Sequence, residues 1–567
     1  MSLSRRLAPI LAFLFFTANA PAAPAAGVKT WFVDSLVKIF PADAPGTHRL
    51  PAPELSAARG QHASLQLAVR SRRPLSGVTA HIVSLQDRSG KALAGAWIRP
   101  VGYVVVGSHT KNTPPDELVG EAPGWYPDPL VDFPIEIKAN RTHALWISVP
   151  VPADAAPGEY RGEIAVRAGN ENLARASFRL RVVSASVPAE RTLKVTNWFN
   201  LGAKSSRQFY GAEMFSPEWW TLVENIARVM AEHRQNVVIT PIMELIQPRV
   251  EGGELRYDFA NFDRWVETFR KAGVIGIIEG SHLLGRSGES YQGSTQADTF
   301  QIVDGKAQNV AVPADDPRAE QFLDSFLSAL NAHLEEKKWK SIYFQHILDE
   351  AHGPEPPIYA KYAGYVRKYM PGVQTMDAVD AEHMPPELQQ NCDVWVPILG
   401  NFGDQLELIA RRQAGGHEVW FYTCLFPNER HLNRLIDYPL LKVRLLHWLN
   451  FRYGLTGYLH WGWNYWSPEP FNDTQPVINA NTELLPPGDA FIVYPDRANK
   501  SVLSSIRYET MLAGIEDYEL LCALKAKHPE AAERLAKTAI AAFTDYVRDP
   551  AAFRKLERQL LEELSKD

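Results

Sequence analysis

The sequence predicts two folds in series: an antiparallel β-sandwich over residues 28–189, then a (β/α)8 barrel over residues 190–517, closed by a helical tail over residues 518–567. Three observations carry this expectation. The chain, at 567 residues, is too long for one ordinary hydrophobic core. As far as residue 189 its apolar residues alternate with period two and are broken by proline and glycine turns. Beyond Pro188 the rhythm changes to eight short strand-like runs, mostly separated by helical patterns.

The first 26 residues, MSLSRRLAPILAFLFFTANAPAAPAA, place Arg5 and Arg6 before an apolar run at residues 7–16 and then a string of small residues. This is the pattern of a secretory signal peptide, cleaved between residues 20 and 26, and its apolar core is far shorter than the ~20 residues of a membrane span. A buried N-terminal helix is the alternative. No cysteine stands near the cleavage point, which excludes a lipid anchor attached there. A secreted or periplasmic location is expected, and no later stretch is apolar enough to span a membrane.

In the first domain the runs ASLQLAVRS, HALWISVPV, GEYRGEIAVRA and ASFRLRVVSA alternate as half-buried strands do, and ADAAPGEY reads as a turn between two of them. The segment 112–129, rich in proline, glycine and acidic residues, is long enough to reach a neighbouring domain. The second domain's strands are LKVTNW, NVVIT, VIGIIE, SIYFQHI, GVQTMD, VWVPI, EVWFY and GYLHW, with helical runs such as EWWTLVENIARVMAEH and RAEQFLDSFLSALNAHLEEK between them. An open doubly wound sheet is the competing arrangement, but no glycine-rich phosphate loop follows the first strand. From Ser504 to Asp567 the chain, including SIRYETMLAGIEDYELLCALKAKH, is helical by periodicity; it is expected to complete the outer layer and add a small helical cap.

Composition narrows the function classes. Apolar content of 46% and charged content of 22% fit a soluble globular protein, and a net charge of −6 without a basic run argues against a nucleic-acid surface. Cys392, Cys424 and Cys522 allow at most one bridge and match no zinc spacing, so they read as free, buried thiols. Neither a metal nor a cofactor is expected.

In such a barrel the chemistry lies at the carboxyl ends of the strands. Read in order, those positions are Asn197 and Trp198, Thr240, Glu279 with His282, Asp349 and Glu350, Asp377, Asn401, Tyr422, and then Trp461, Trp463 and Asn464. A ring of carboxylates, amides and aromatics suits a sugar, whose flat faces stack on aromatic rings while its hydroxyls need polar partners. Two readings stand for HWGWNYW at residues 460–466, a sugar platform and a core cluster. His282 and His346 read as structural histidines, because neither has a metal-type spacing at its strand end.

The pair Asp349 and Glu350 in QHILDEAHGPE raises the sharpest question. Alone, two adjacent acids at a strand-to-helix turn are as readily a solvated cap. Glycoside cleavage, however, needs one acid to protonate the leaving oxygen and a second group to handle the oxocarbenium-like centre. In common retaining barrels the second group is a carboxylate on a distant strand, often the seventh, where EVWFYTC offers only Tyr422. The adjacent pair therefore points to a different division of labour. One acid would protonate the leaving group while its neighbour orients a 2-acetamido group of the substrate that attacks the anomeric carbon itself, and two close carboxylates push one pKa up, which would help keep Glu350 protonated. Strict alternation would send the two side chains to opposite faces, so the strand must end or bulge by Leu348. Two further readings remain: a glycosidase on a non-acetamido sugar with Glu279 or Asp377 as second carboxylate, and a carbohydrate-binding protein without activity.

The segments AEHRQNVVITP, IEGSHLL, ILDE, WGWNYW and RYETMLAGIEDYELL, arriving in this order, resemble glycoside hydrolase family 123 and the related secreted bacterial proteins that share its catalytic domain. The likeness covers most of the mature chain, including the turn VPADAAPGEYRGEI. It implies a retaining exo-β-N-acetylhexosaminidase of the N-acetylgalactosaminidase type acting by substrate assistance, with Glu350 as acid/base and Asp349 stabilising the acetamido group. Sugar contacts are expected at Trp463, Asn464, Tyr422, Trp461, His282, Glu279, Asp377 and Trp198 from their strand-end positions.

Overall fold

The computed structural model describes residues 26–289, 291–380, 382–477 and 484–566, so the expected signal sequence falls almost wholly outside the described residues. The N-terminal region builds two five-stranded sheets. One runs in the order Val28–Asp34, His62–Ser71, Thr142–Pro150, Trp97–Val106, Gly124–Leu130. The other runs Glu54–Arg59, Glu171–Ser186, Gly158–Ala168, Leu75–Asp87, Ile135–Ile137. Leu65, Leu67, Leu145 and Ile147 of the first share one core with Ile164, Val166, Phe178 and Leu180 of the second. Alternation is blurred in the first sheet because its other face is covered too. There Trp31, Val33, Ala68 and Trp146 pack with Leu440 and Ile506 of the second half of the chain.

All eight strands expected after Pro188 form. They are Lys194–Asn197, Val237–Thr240, Ile277–Gly280, Tyr343–Gln345, Gln374–Val379, Val394–Pro397, Trp420–Tyr422 and Gly457–His460. The second to sixth make one parallel ladder, and the first, eighth and seventh another. Parallel bridges from Trp395 to Val419 and from Ile398 to Tyr422 connect the sixth strand to the seventh. Among the described residues no ladder joins the first strand to the second. Asn236 spans that gap, its side chain accepting from the Val195 amide at 2.8 Å and donating to the Leu193 carbonyl at 2.9 Å.

Helices separate most of these strands for local reasons that the sequence carries. Pro217–Glu232 starts at Pro217 after Ser216, whose hydroxyl accepts from the Trp219 amide at 3.2 Å, and it buries Trp219, Trp220, Val223 and Ile226. Leu440–Tyr453 and Ile506–Lys527 have buried residues all round, because they lie against each other and between the ring and the first sheet. The domain boundary expected at 517 falls inside the second of these helices. Segment 112–129 does reach the second half of the chain: Glu117 meets Lys442 at 2.9 Å and Arg548 at 2.7 Å. Asp128 forms a fully buried pair with Arg507 at 2.8 Å. All three cysteines are free.

The antiparallel additions between these strands were not foreseen: after the second strand Gln247–Glu251 pairs with Glu254–Asp258. After the third strand the chain leaves the ring to make a small antiparallel sheet of Leu284–Arg286, Thr295–Val303 and Lys306–Pro313 before helix Pro317–Glu336.

Candidate active site

The fourth strand stops at Gln345, earlier than the run SIYFQHI suggests, and Asp349 and Glu350 occupy the turn that follows. With the ladder finished, period-two alternation no longer separates the two side chains. Glu350 takes a φ of 48°, in the left-handed region. For a residue with a Cβ this costs on the order of 1–3 kcal/mol and persists only where neighbours impose it. They do so on both sides: the Glu350 amide donates to the Ala378 carbonyl at 3.2 Å, and Arg286 donates to the Asp349 and Glu350 carbonyls at 3.0 and 3.2 Å.

Asp349 lines a cavity of about 430 Å³ together with Trp198, Asn200, Glu244, His282 and Tyr465. Burial and the neighbouring Asp377 push its carboxyl up to about 6. Glu350 rises further, to about 8, through burial and the charge of Asp349, while the Tyr422 hydroxyl, which donates to Glu350 Oε1, works in the opposite sense. Two adjacent acids with separated affinities are what an acid and an anionic stabiliser require at neutral pH.

Beneath them lies a closed polar floor. Glu279 accepts from the Thr196 hydroxyl at 2.6 Å, the Trp198 indole at 2.7 Å and His346 Nε2 at 2.7 Å. Asp377 accepts from the Ile347 amide at 3.0 Å, the Tyr359 hydroxyl at 2.7 Å and His346 Nδ1 at 3.0 Å. Burial by itself would depress His346, but its hydrogen bonds to Asp377 and Glu279 raise it to about 10. The ring is therefore an imidazolium held between two carboxylates. The ligand atoms of His282, His346 and Asp377 lie within 4.8 Å of one another, as a metal site would require. In this arrangement both nitrogens of His346 are engaged by carboxylates.

These contacts sort the residues expected on the sugar. Trp198, His282 and Asp349 do line the cavity. Tyr422 touches Glu350. Glu279 and Asp377 do not face the cavity; each is fully buried and bound to His346, which corrects their expected role. Trp463 is also fully buried, set edge-on to Phe199 and Tyr508, so of its two readings the core is the one the structure shows. Asn464 is a clamp, its amide accepting from the Asn200 amide at 2.7 Å and donating to the Asn200 carbonyl at 2.9 Å. Trp461 is half-buried, donates to Asp489 at 3.2 Å, and its ring meets that of Tyr465. The residues that sequence reasoning missed are Tyr465, Asn200, Glu244 and Arg286. Tyr465 stood inside the aromatic run, but with the eighth strand ending at His460 no periodicity selected it over Trp463.

Residues 198–524 match the model of the glycoside hydrolase 123 catalytic domain. The chain belongs to glycoside hydrolase family 123. Residues 44–168 match the family 123 N-terminal domain. The solved family 123 glycoside hydrolase from Clostridium perfringens, described for glycolipid glycan hydrolysis, shares the fold: the TM-score is 0.74 at 16% identity, over 95% of this chain and 97% of that one. A family 39 glycoside hydrolase from Bacteroides cellulosilyticus aligns over 82% of this chain and 81% of its own at 10% identity, with a TM-score of 0.36, too low to carry an argument. No curated protein matches the chain. As a family 123 member it is a glycoside hydrolase, and its substrates are carbohydrates. No helix among the described residues is long and apolar enough to cross a membrane.

Proposed function

We propose that this family 123 enzyme is a secreted or periplasmic, exo-acting, retaining β-N-acetylhexosaminidase that uses the substrate's own acetamido group as nucleophile. The eight-stranded ring is read as a (β/α)8 barrel and the paired N-terminal sheets as an accessory β-sandwich. The preference for galactosamine over glucosamine rests on the family resemblance. The observation that carries the mechanism is the single turn presenting Asp349 and Glu350 side by side, while Glu279 and Asp377, the other acids expected at the site, are locked onto His346.

In the first step Glu350 gives its proton to the glycosidic oxygen. The acetamido carbonyl oxygen attacks C1 as the C1–O bond breaks, and the protonated aglycone leaves. Asp349, ionised, accepts the acetamido N–H and balances the positive charge of the oxazolinium ring. In the second step the Glu350 carboxylate takes a proton from water, whose oxygen attacks C1 and reopens the ring with net retention. The Tyr422 hydroxyl, donating to Glu350, supports the carboxylate form needed there.

A second reading has its own observation: Glu244 lines the same cavity as Asp349 and is available as the nucleophile of a glycosidase on a non-acetamido sugar. One substrate series separates the two. On 4-nitrophenyl β-glycosides the N-acetylgalactosaminide is expected to turn over fastest and the 2-hydroxy galactoside not at all. Successive fluorination of the N-acyl group is expected to slow hydrolysis at each step, because each fluorine weakens the attacking oxygen. A flat fluorination series, or equal turnover of the 2-hydroxy sugar, overturns substrate assistance and moves the nucleophile to Glu244.

A further inference from the structure

We infer that Arg286, carried on the small sheet outside the ring, is the positioning residue that sets the aim of the acid pair. This rests on the reading of Asp349 and Glu350 as the catalytic acids. Arg286 ends the strand Leu284–Arg286, where it stands opposite Thr295 of the neighbouring strand. Its guanidinium grips Glu355 in a fork, Nε to Oε1 at 2.9 Å and Nη2 to Oε2 at 2.6 Å. The same Nη2 reaches the carbonyls of Asp349 at 3.0 Å and Glu350 at 3.2 Å.

Glu355 is fixed in turn. Its Oε1 accepts from the Thr295 hydroxyl at 2.9 Å and its Oε2 from the His352 amide at 3.0 Å. The guanidinium lies 5.1 Å from the centre of the Tyr291 ring, which stacks on His352 at 4.1 Å. With side-chain exposures of 10% and 5%, Arg286 and Glu355 are screened from water. The turn is therefore tied by one planar fork to an anchor five residues further along the chain. With the hydrogen bond from the Glu350 amide to the Ala378 carbonyl on the other side, this is the restraint that holds Glu350 at a φ of 48°. A lysine, as a point charge on a flexible stem, has no second nitrogen to reproduce the planar fork on Glu355 that holds the guanidinium against the two carbonyls.

The clasp also has an electrostatic consequence. Asp349 faces Asp377, His346, Arg286 and Asp380, and Glu350 faces Asp349, Tyr422, Asp380 and Arg286. Arg286 lowers the proton affinity of both acids. Removing its charge moves both upward, so both limbs of the pH–rate profile shift to higher pH.

The test compares Arg286→Met, Arg286→Lys and Glu355→Gln with the parent enzyme and with Glu350→Gln. A crystal structure of Arg286→Met reads the turn directly, and kcat, KM and pH profiles are taken on 4-nitrophenyl N-acetyl-β-D-galactosaminide. Glu350 is expected to leave its left-handed conformation in Arg286→Met. In that variant kcat is expected to fall about 100-fold with KM nearly unchanged, as misplacing a reacting group by ~1 Å does. Its pH limbs should move up, whereas Arg286→Lys should keep the limbs and still lose kcat. An unaltered turn in Arg286→Met, or parental kcat and limbs in its folded fraction, overturns the inference. If Arg286→Met does not fold, parental kcat in Glu355→Gln overturns it instead, and a loss of kcat at constant KM supports it. Full activity of Glu350→Gln would fail the catalytic reading itself, whereas an inactive Glu350→Gln beside a normal Arg286→Met fails only the role of Arg286.

Discussion

Replacing Tyr422 by phenylalanine removes one hydroxyl from the site and leaves the aromatic ring, which is buried in a cluster with Val396, Trp420 and Leu459. That hydroxyl donates to Glu350 Oε1 and so favours the ionised form of Glu350. A hydrogen bond to an ionised group contributes about 1.5–3 kcal/mol. One pKa unit corresponds to about 1.36 kcal/mol, so the full loss amounts to ~1–2 units. A water admitted in place of the hydroxyl returns part of it, and the expected shift is about one unit. The sign follows from the role of Glu350. As general acid it must be protonated, so activity is lost as pH rises through its pKa, about 8 in the parent enzyme. Phenylalanine at 422 raises that value, and the alkaline limb of kcat/KM moves to higher pH. The acidic limb, set by ionisation of Asp349 at about 6, stays nearly in place. The limbs report the coupled pair, so both are fitted together. The assay is kcat/KM on the N-acetylgalactosaminide from pH 4 to 10. An alkaline limb that stays in place or moves down refutes the assignment of Glu350 as the acid restrained by Tyr422.

The floor and the core make separate predictions. His346→Gln strands Glu279 and Asp377 without their cation and is expected to cost about 3–5 kcal/mol of unfolding free energy at pH 7, measured by urea denaturation. Burial already holds the Asp377 carboxyl above its ordinary value against the pull of His346; without that pull it rises further above its unfolded value, so the deficit shrinks as pH falls and Asp377 takes up a proton. A deficit that is the same at pH 5 and pH 8 would sink this account. Trp463→Ala is expected to lose about 3–5 kcal/mol of stability, seen as a lower melting temperature, with KM of the folded fraction unchanged. A raised KM at an unchanged melting temperature would return Trp463 to the substrate.

The eight strands were legible in order because each is a short apolar run, enclosed on both faces and ended by a polar residue or a turn, a pattern that needs no knowledge of neighbours. Asp349 and Glu350 were legible for the same reason: a chain that places two acids just past a buried strand puts them at its carboxyl end wherever the other strands lie. Tyr422 followed from the seventh strand in the same way. Strand-end position, however, fixes a place around the ring and says nothing of depth. Glu279 and Asp377 stand at correct strand ends, yet His346, from just beyond a third strand, binds both and turns them into a floor. Trp463 and Tyr465 lie two residues apart beyond the end of the eighth strand, where no period applies, and packing against Phe199 and Tyr508 buries the first while the second lines the cavity. Arg286 is 63 residues from Asp349 on a sheet outside the ring, and its hold on the turn arises only when the folded chain brings Glu355 to the same guanidinium. Local pattern encodes which residues sit at a strand's end, because it depends on the strand alone; which of them meet water, sugar or another charge depends on partners that are distant in sequence, and the tertiary fold supplies those.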